Sequence, residues 1–411
     1  MFENMRMEDL PGSGQLLQLQ ESFLLQMIRE EWLSTEAVKT RLRQLKLAPL
    51  AGEGLKLRVA AAELKVPPEL LTSKHGHRLH TAAHFHTLCR ETAGGWKHIY
   101  HFRDEVNPLL MYFLIPSKEG IEHVNRAGRF VEELSQNIRH NMEFESTVAA
   151  GLEVKGLKRL KNAFASGLCA LNRTSLPVSD SWTKYGTSRV ISWLSQEEEH
   201  RLSQMLENSN VSAFERELNL LIELHESESD PFESCMYKAM RLLLLLTVIA
   251  GKFECSGTAL GKYLWNSHKT LAACKSPGAL KEQLLDMGQL VMEEARQARE
   301  SRGRTLAEAV RKYIERNYGC ELSLGAAALL FGVEESSLSR QFKQHVGIPL
   351  DDYVAKIRMA KAEQLLLDDS LKLTDLSLIV GYSSPSHFVS TFKKYSGKSP
   401  KEYRERLQKN R

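Results

Sequence analysis

Five histidines fall between positions 75 and 86 of this 411-residue chain: His75, His77, His80, His84 and His86. On a helix, His80 and His84 stand at i and i+4, the spacing with which two imidazoles share a metal ion. Only Cys89 and Glu91 lie close enough in sequence to help complete such a site. A solvated helix face explains the same residues more simply, so no metal ligand, cofactor or catalytic residue is assigned. Trp96, Trp182, Trp193 and Trp265 could line an effector pocket, but core packing is the favoured reading of each.

Charge and repetition single out the C-terminal quarter. From Arg304 to Arg411 there are 18 basic and 13 acidic residues, a net +5, whereas the rest of the chain carries 37 against 38. A local basic excess suits contact with a polyanion. Two copies of one pattern lie in the same stretch. Phe342-Lys343 is followed by Gly347 and Tyr353, and 50 residues later Phe392-Lys393 is followed by Gly397 and Tyr403. Upstream of each copy is a turn glycine, Gly332 or Gly381, between a short helical segment (323–331 or 374–380) and a polar helix start. Helix, glycine turn and helix with a buried anchor, Leu338 or Phe388, describes a helix-turn-helix. Glycine allows the left-handed backbone of the tight turn. Ala328 and Ser377, four residues earlier, are small where the two helices approach. A continuous helix over 350–367, with Tyr353, Ile357, Ala360, Ala362, Leu365 and Leu366 inward, would be about 27 Å long and could hold two such units near the ~34 Å that separates successive major-groove faces.

The segments SLSRQFKQHVGIPLDDYVAKIRMAKAEQLLL and LIVGYSSPSHFVSTFKKYSGKSPKEYRERL resemble the AraC-type DNA-binding domain, over about residues 305–407. The resemblance implies that the first recognition helix presents Ser336, Ser337, Ser339, Arg340 and Lys343 to DNA. The second would present Ser386, His387, Ser390, Lys393 and Lys394. Arg340 is the candidate base reader, since a guanidinium pairs bidentately with a guanine edge. The lysines suit phosphate. Ser390 stands where the family often has a larger side chain. The resemblance also implies a transcription regulator acting as an activator, with double-stranded DNA and RNA polymerase as partners and a homodimer as a candidate assembly.

The elements that carry these groups can be read from periodicity. Residues 15–32 form one apolar helical face, with Leu16, Leu17, Phe23, Leu24, Met27 and Ile28, expected to meet another chain or the central region. A second helix over 34–45 is capped by Ser34 or Thr35. Strands are expected at 55–64 and 109–115, with 96–102 paired to the latter as a hairpin. Helices follow over 120–141 and 155–172, separated by a short strand at 146–151. The order suggests an α/β sandwich with an antiparallel-rich sheet. Residues 195–300 read as helical, Ser301-Arg302-Gly303-Arg304 as a linker, and Thr305 with Glu308 as a capping box.

The stretch STVAAGLEVKGLKRLKNAFASGLCAL is similar to the end of the degenerate GGDEF-like domain of YesN-type AraC regulators. In those proteins a receiver precedes it, and no receiver-like sequence fits before Gln15. The turn that would serve a cyclase runs from His101 to Pro108 without Gly-Gly, so Asp104 and Glu105 read as exposed turn residues.

The fold class expected is a multidomain α+β chain. It has N-terminal connecting helices (1–45), a GGDEF-like α/β domain (46–175), a helical region with linker (176–303) and an all-α double helix-turn-helix domain (304–411). Six scattered cysteines without a C-x-x-C pair point to reduced thiols and the cytoplasm. Glu3, Glu8 and Asp9 argue against a signal peptide. Nine apolar residues, 242–250, fall short of the roughly 20 that cross a bilayer and read as a buried helix. The leading reading is a cytoplasmic DNA-binding regulator with an unknown effector. Its alternative is a metal- or nucleotide-dependent enzyme with an accessory helix-turn-helix domain.

Overall fold

The computed structural model describes residues 13–32, 34–67, 75–117, 126–172, 193–222, 231–252, 259–300, 304–368 and 371–409. The chain divides into two compact units. A central unit comprises Ile28–Glu30 and Gly52–Arg296, and a terminal unit comprises Met1–Met27, Glu31–Ala51 and Gln297–Arg411.

The central unit is built on β1 (Lys56–Lys65), α3 (His75–Gly94), β2 (Tyr100–Arg103), β3 (Leu110–Ser117), α4 (Arg126–Asn141) and β4 (Glu145–Ala150). The numbering of helices counts α1 (Ser13–Arg29) and α2 (Thr35–Gln44) of the N-terminal segment. The sheet order is β2-β3-β1-β4, all antiparallel, and a two-residue β5 (Val154–Lys155) pairs with the start of β1. This is a βαββαβ unit of the ferredoxin-like kind. One sheet face carries Ala60, Ala62, Leu64, Met111, Phe113 and Ile115. Against it pack α3, through Ala82, Phe85, Cys89 and Ala93, and α4, through Phe130, Val131, Leu134 and Ile138. Their spacing of three and four residues is that of an apolar helical stripe. The other face meets α5 (Leu160–Asn172), where a Cβ on Gly167 would stand 2.9 Å from the Val59 carbonyl oxygen. Both faces are covered, which is why β3 is an unbroken apolar run from Leu110 to Pro116.

Helices α6 (Gln196–Glu207), α7 (Val211–Leu221), α8 (Pro231–Lys252), α9 (Ala259–Asn266), α10 (His268–Ala273) and α11 (Pro277–Glu300) complete the chain through residue 300. Apolar residues 242–250 lie in the C-terminal half of α8, which begins at Pro231. By length and composition α8 would cross a membrane, but 89% of its most apolar window is buried inside the protein.

Two expectations need correcting in the central unit. Asp104 is buried, not exposed. Its Oδ1 accepts from the amides of Val106 and Asn107, both at 2.7 Å, and its Oδ2 accepts from the Tyr112 hydroxyl at 2.9 Å and Trp265 Nε1 at 2.5 Å. A carboxylate with four donors can be buried where a lone one cannot. Glu105 does stay exposed, 2.5 Å from Arg29. The second correction is of extent: the first hairpin strand begins at Tyr100 rather than Trp96, and α5 begins at Leu160 after a 3-10 turn, Leu157–Arg159. Trp265 is buried and stacks on Phe164, and Trp96 packs edge-on against Phe130. Trp193 lies 5.5 Å from the Tyr237 ring. Trp182 falls outside the described residues.

In the terminal unit, the helices after the linker are α12 (Arg304–Asn317), α13 (Leu324–Leu330), α14 (Glu335–Val346), α15 (Leu350–Leu365), α16 (Leu373–Ile379), α17 (Pro385–Ser396) and α18 (Pro400–Lys409). Because α12 begins at Arg304, Thr305 lies within the helix rather than at its cap. Two cores stand side by side along α15. Tyr353 and Val354 join α12, α13 and α14 in the first, while Met359, Ala362 and Leu365 join α16 and α17 in the second. The inward side of α15 therefore includes Val354 and Met359, and Ile357 and Ala360 are only half-buried.

The N-terminal helices have a neighbour that periodicity did not suggest. Ser34 caps α2, its hydroxyl accepting from the Ala37 amide at 3.0 Å. Leu16 and Leu19 of α1 pack against the second core of the C-terminal helices.

Candidate nucleic-acid interface

Both helix-turn-helix elements are built by the same local rules. In the first, the Ser323 hydroxyl caps α13 by accepting from the Ala326 amide, and Gly332 turns the chain at φ +64°. The Val333 amide closes the turn on the Ala328 carbonyl at 3.0 Å. In the second, Gly381 turns at φ +96° and the Tyr382 amide closes on the Ser377 carbonyl at 2.9 Å. Ala328 and Ser377 are both buried at the helix crossing, as their size suggests. Ser384 caps α17 and Pro385 supplies a first helical residue with φ already set. Gly347 and Gly397 end α14 and α17 in the left-handed conformation.

The repeated Phe…Tyr pair is a core brick. Phe342 meets Tyr353 edge-on with ring centroids 5.7 Å apart, and Phe392 meets Tyr403 edge-on at 5.4 Å. Burying the Phe of each pair forces the opposite side of its helix outward. On α14 that side carries Ser336, Ser339, Arg340 and Lys343, all exposed, with Ser337 half-buried and holding the Gln341 amide at 3.1 Å. On α17 it carries Ser386, His387, Ser390, Lys393 and Lys394, all exposed. The ten positions singled out in the sequence thus fall on two equivalent helix faces. With α15 spanning 16 residues, about 24 Å of helix joins them.

The faces differ chemically at several equivalent positions, most plainly at Arg340 and Ser390. Arg340 makes no hydrogen bond or ion pair among the described residues, so its fork of donors is unspent. Its counterpart Ser390 donates its hydroxyl back to the His387 carbonyl at 2.9 Å. Val389, 37% exposed, is an apolar member of the second face that charge-based reading passed over. The lysines near the end of each helix, Lys343, Lys393 and Lys394, also sit where the helix dipole favours cations.

Sequence reasoning also missed the supports behind the second face. Arg358 of α15 donates from Nε to the Tyr318 carbonyl and from Nη2 to the Cys320 carbonyl, both at 2.9 Å. Its guanidinium carbon lies 5.3 Å from the Tyr382 ring centre. Burial holds the Arg358 pKa below the usual arginine value. No spacing in the sequence marks these contacts, because their partners come from other elements.

His80 and His84 do not assemble a metal site with Cys89. His80 and His84 are exposed on α3, whereas Cys89 faces the sheet, where burial pushes its thiol pKa well up. His86 bonds the Pro108 carbonyl at 2.7 Å. Among the described residues no three His, Cys, Asp or Glu side chains are grouped for a metal.

A family described as "Helix-turn-helix domain" matches residues 327–406, which contain both turn glycines and helices α14 and α17. The Msm operon regulatory protein of Streptococcus mutans is 31% identical over 101 residues, covering 25% of this chain and 36% of that protein. The C-terminal part of the chain is an AraC-type helix-turn-helix domain. The xylose operon regulatory protein of Escherichia coli K12 is 32% identical over 91 residues, 22% of this chain and 23% of that protein. Among solved structures, the C-terminal domain of AraT, a response regulator from Geobacillus stearothermophilus, is 36% identical with a TM-score of 0.24. That match covers 24% of this chain and 83% of the solved one. The chain spans between about a quarter and a half of the length of the curated relatives it matches.

Proposed function

We propose that this protein is a sequence-specific DNA-binding transcription regulator, acting as an activator in the cytoplasm, and not an enzyme. Double-stranded DNA and RNA polymerase are its partners, and a homodimer is its working assembly. The observation that carries the reading is the pair of equivalent exposed helix faces on α14 and α17, joined through one continuous helix. A face of short polar residues with an unspent arginine suits the major groove, and one rich in lysine suits phosphate. In this reading Arg340 reads a guanine, supported by Ser336, Ser337, Ser339 and Lys343. The second face, Ser386, His387, Ser390, Lys393 and Lys394, chiefly positions the protein.

The central unit is read as a degenerate GGDEF-like domain over residues 46–175, followed by a helical region to residue 303. Its βαββαβ order supports that reading. Against nucleotide or metal chemistry there, Asp104 has all its acceptor capacity engaged by Val106, Asn107, Tyr112 and Trp265. The test is selection of duplexes from a random-sequence library by the full chain. The expected product is a site with two elements about 10 bp apart, one of them containing an invariant guanine. A bound pool without sequence bias, or binding indifferent to salt, would overturn the proposal.

A further inference from the structure

The two helix-turn-helix elements are equivalent in backbone but not in surroundings. Leu330 ends α13 and Ile379 ends α16, each two residues before its turn glycine, so the two occupy the same position. Leu330 is half-buried whereas Ile379 is fully buried, and at the preceding position Leu329 is exposed whereas Leu378 is half-buried. The second element has a cover that the first lacks. That cover includes the N-terminal arm, α1 and α2, within the terminal unit.

Three kinds of contact hold the arm there. Leu16 and Leu19 pack against the second core. The Gln26 side-chain amide donates to the Arg316 carbonyl at 3.1 Å, and Lys46 lies 3.5 Å from Asp375 at the surface. The third contact is the informative one. Arg41 is buried, and its guanidinium donates to the Ile379 carbonyl at 2.5 Å and to Gln44 Oε1 at 3.2 Å. Gly319 makes room for it: a Cβ there would stand 2.3 Å from the guanidinium.

Among the described residues no carboxylate pairs with Arg41. Its charge is met by a carbonyl at the C-terminal end of α16, where the helix dipole is negative. Burying a cation without a counter-ion costs more than burying a thioether of similar length. Stability alone therefore does not account for an arginine here. Direction does, since the bond fixes the last residue of α16, immediately before the turn that aims α17.

We propose that residues 13–51 are a positioning element for the second recognition helix, with Arg41 as the residue that locks it. Arg41 holds the end of α16 while Arg358 holds the Tyr318–Cys320 turn on the other side of Gly381. The lysines of α17 are thereby kept in register with the α14 face. The inference rests on the reading of α17 as a DNA-facing helix for its second measurement, but not for its first.

The first measurement is amide hydrogen exchange in the full, DNA-free chain. Arg41→Met should accelerate exchange across 373–396 by about tenfold or more, leave 324–346 unchanged, and keep the melting temperature within a few degrees of wild type. The second is hydroxyl-radical footprinting on a duplex selected from a random-sequence library by wild-type protein. Wild type should protect two segments one helical turn apart, and Arg41→Met should lose the one assigned to α17. Should Arg41→Met not fold, Arg41→Lys, which keeps the charge but not the fork, must show the same one-sided loss. Unchanged exchange over 373–396, or equal acceleration in both elements, overturns the inference. A wild-type footprint with one segment only would instead remove the reading of α17, and a two-segment footprint unaltered by Arg41→Met would remove the role of the arm.

Discussion

The Tyr318 carbonyl oxygen lies 2.8 Å from where a Cβ on Gly381 would stand, and the Arg358 guanidinium lies 3.0 Å from it. Gly332, the same turn position in the first helix-turn-helix, has nothing within 4 Å of its would-be Cβ. Both glycines have positive φ, so alanine at either costs about 1–2 kcal/mol in backbone strain. Only at Gly381 must backbone also move. Gly381→Ala should therefore destabilise α16–α17 clearly more than Gly332→Ala destabilises α13–α14, as read by amide exchange of each pair. Equal effects would mean that the second turn is not held from behind.

Arg340 and Lys393 should separate reading from positioning. Arg340→Ala is expected to cost about 1–3 kcal/mol at the selected site and to relax preference at one base pair. Lys393→Ala should weaken selected and random duplexes alike and lower the salt slope by about 0.9. Titrations at several salt concentrations measure both. A larger loss of base preference on replacing Ser386, His387 or Ser390 would reverse the assignment of the two helices.

Asp104→Ala leaves four donors without an acceptor inside the central unit. Each unsatisfied buried donor costs about 1–3 kcal/mol, though neighbours relax. A loss of about 3 kcal/mol or more is expected in urea unfolding followed by Trp265 fluorescence. Glu105→Ala, which removes only a surface pair with Arg29, should change stability by about 1 kcal/mol at most.

His268 ties the stability of the central unit to pH. It is buried, its Nδ1 bonds the Trp265 carbonyl at 2.9 Å, and burial pulls its pKa below the usual 6.5. The unfolded chain takes up this proton at about pH 6.5, and the folded chain only at lower pH. The contribution is thus complete above pH 6.5 and declines as the pH falls below it. Denaturation midpoints between pH 7 and 5 should fall less steeply in His268→Gln than in wild type. Parallel slopes would assign the pH dependence to other groups.

The thiols should sort by burial. Cys274 and Cys320 are partly exposed, whereas Cys89, Cys169 and Cys235 are buried. Iodoacetamide should label the first two in native protein and the other three only after denaturation, as followed by peptide mass spectrometry. Native labelling of Cys89 would contradict its place under the sheet.

The amino-acid sequence by itself determined both helix-turn-helix elements and the order of the central unit. It did so because those features are written in local, periodic terms. Phe342 and Phe392 recur at a spacing fixed by the helices they anchor, and burial of each turns the polar residues beside it outward. The alternation of strand and helix from Leu57 to Asn172 likewise follows from which side of each element is apolar. What only the tertiary structure decided are the contacts whose partners lie far along the chain. Asp104 looks like a turn residue until Trp265, 161 residues away, brings a buried donor to it. Arg41 looks like a solvated helix charge until Ile379, 338 residues away, offers a carbonyl at the end of α16. Neither partner has a spacing or a residue type that announces the pair. A carboxylate or a guanidinium is buried only when the fold supplies its hydrogen bonds, and that supply exists only once the chain has closed on itself.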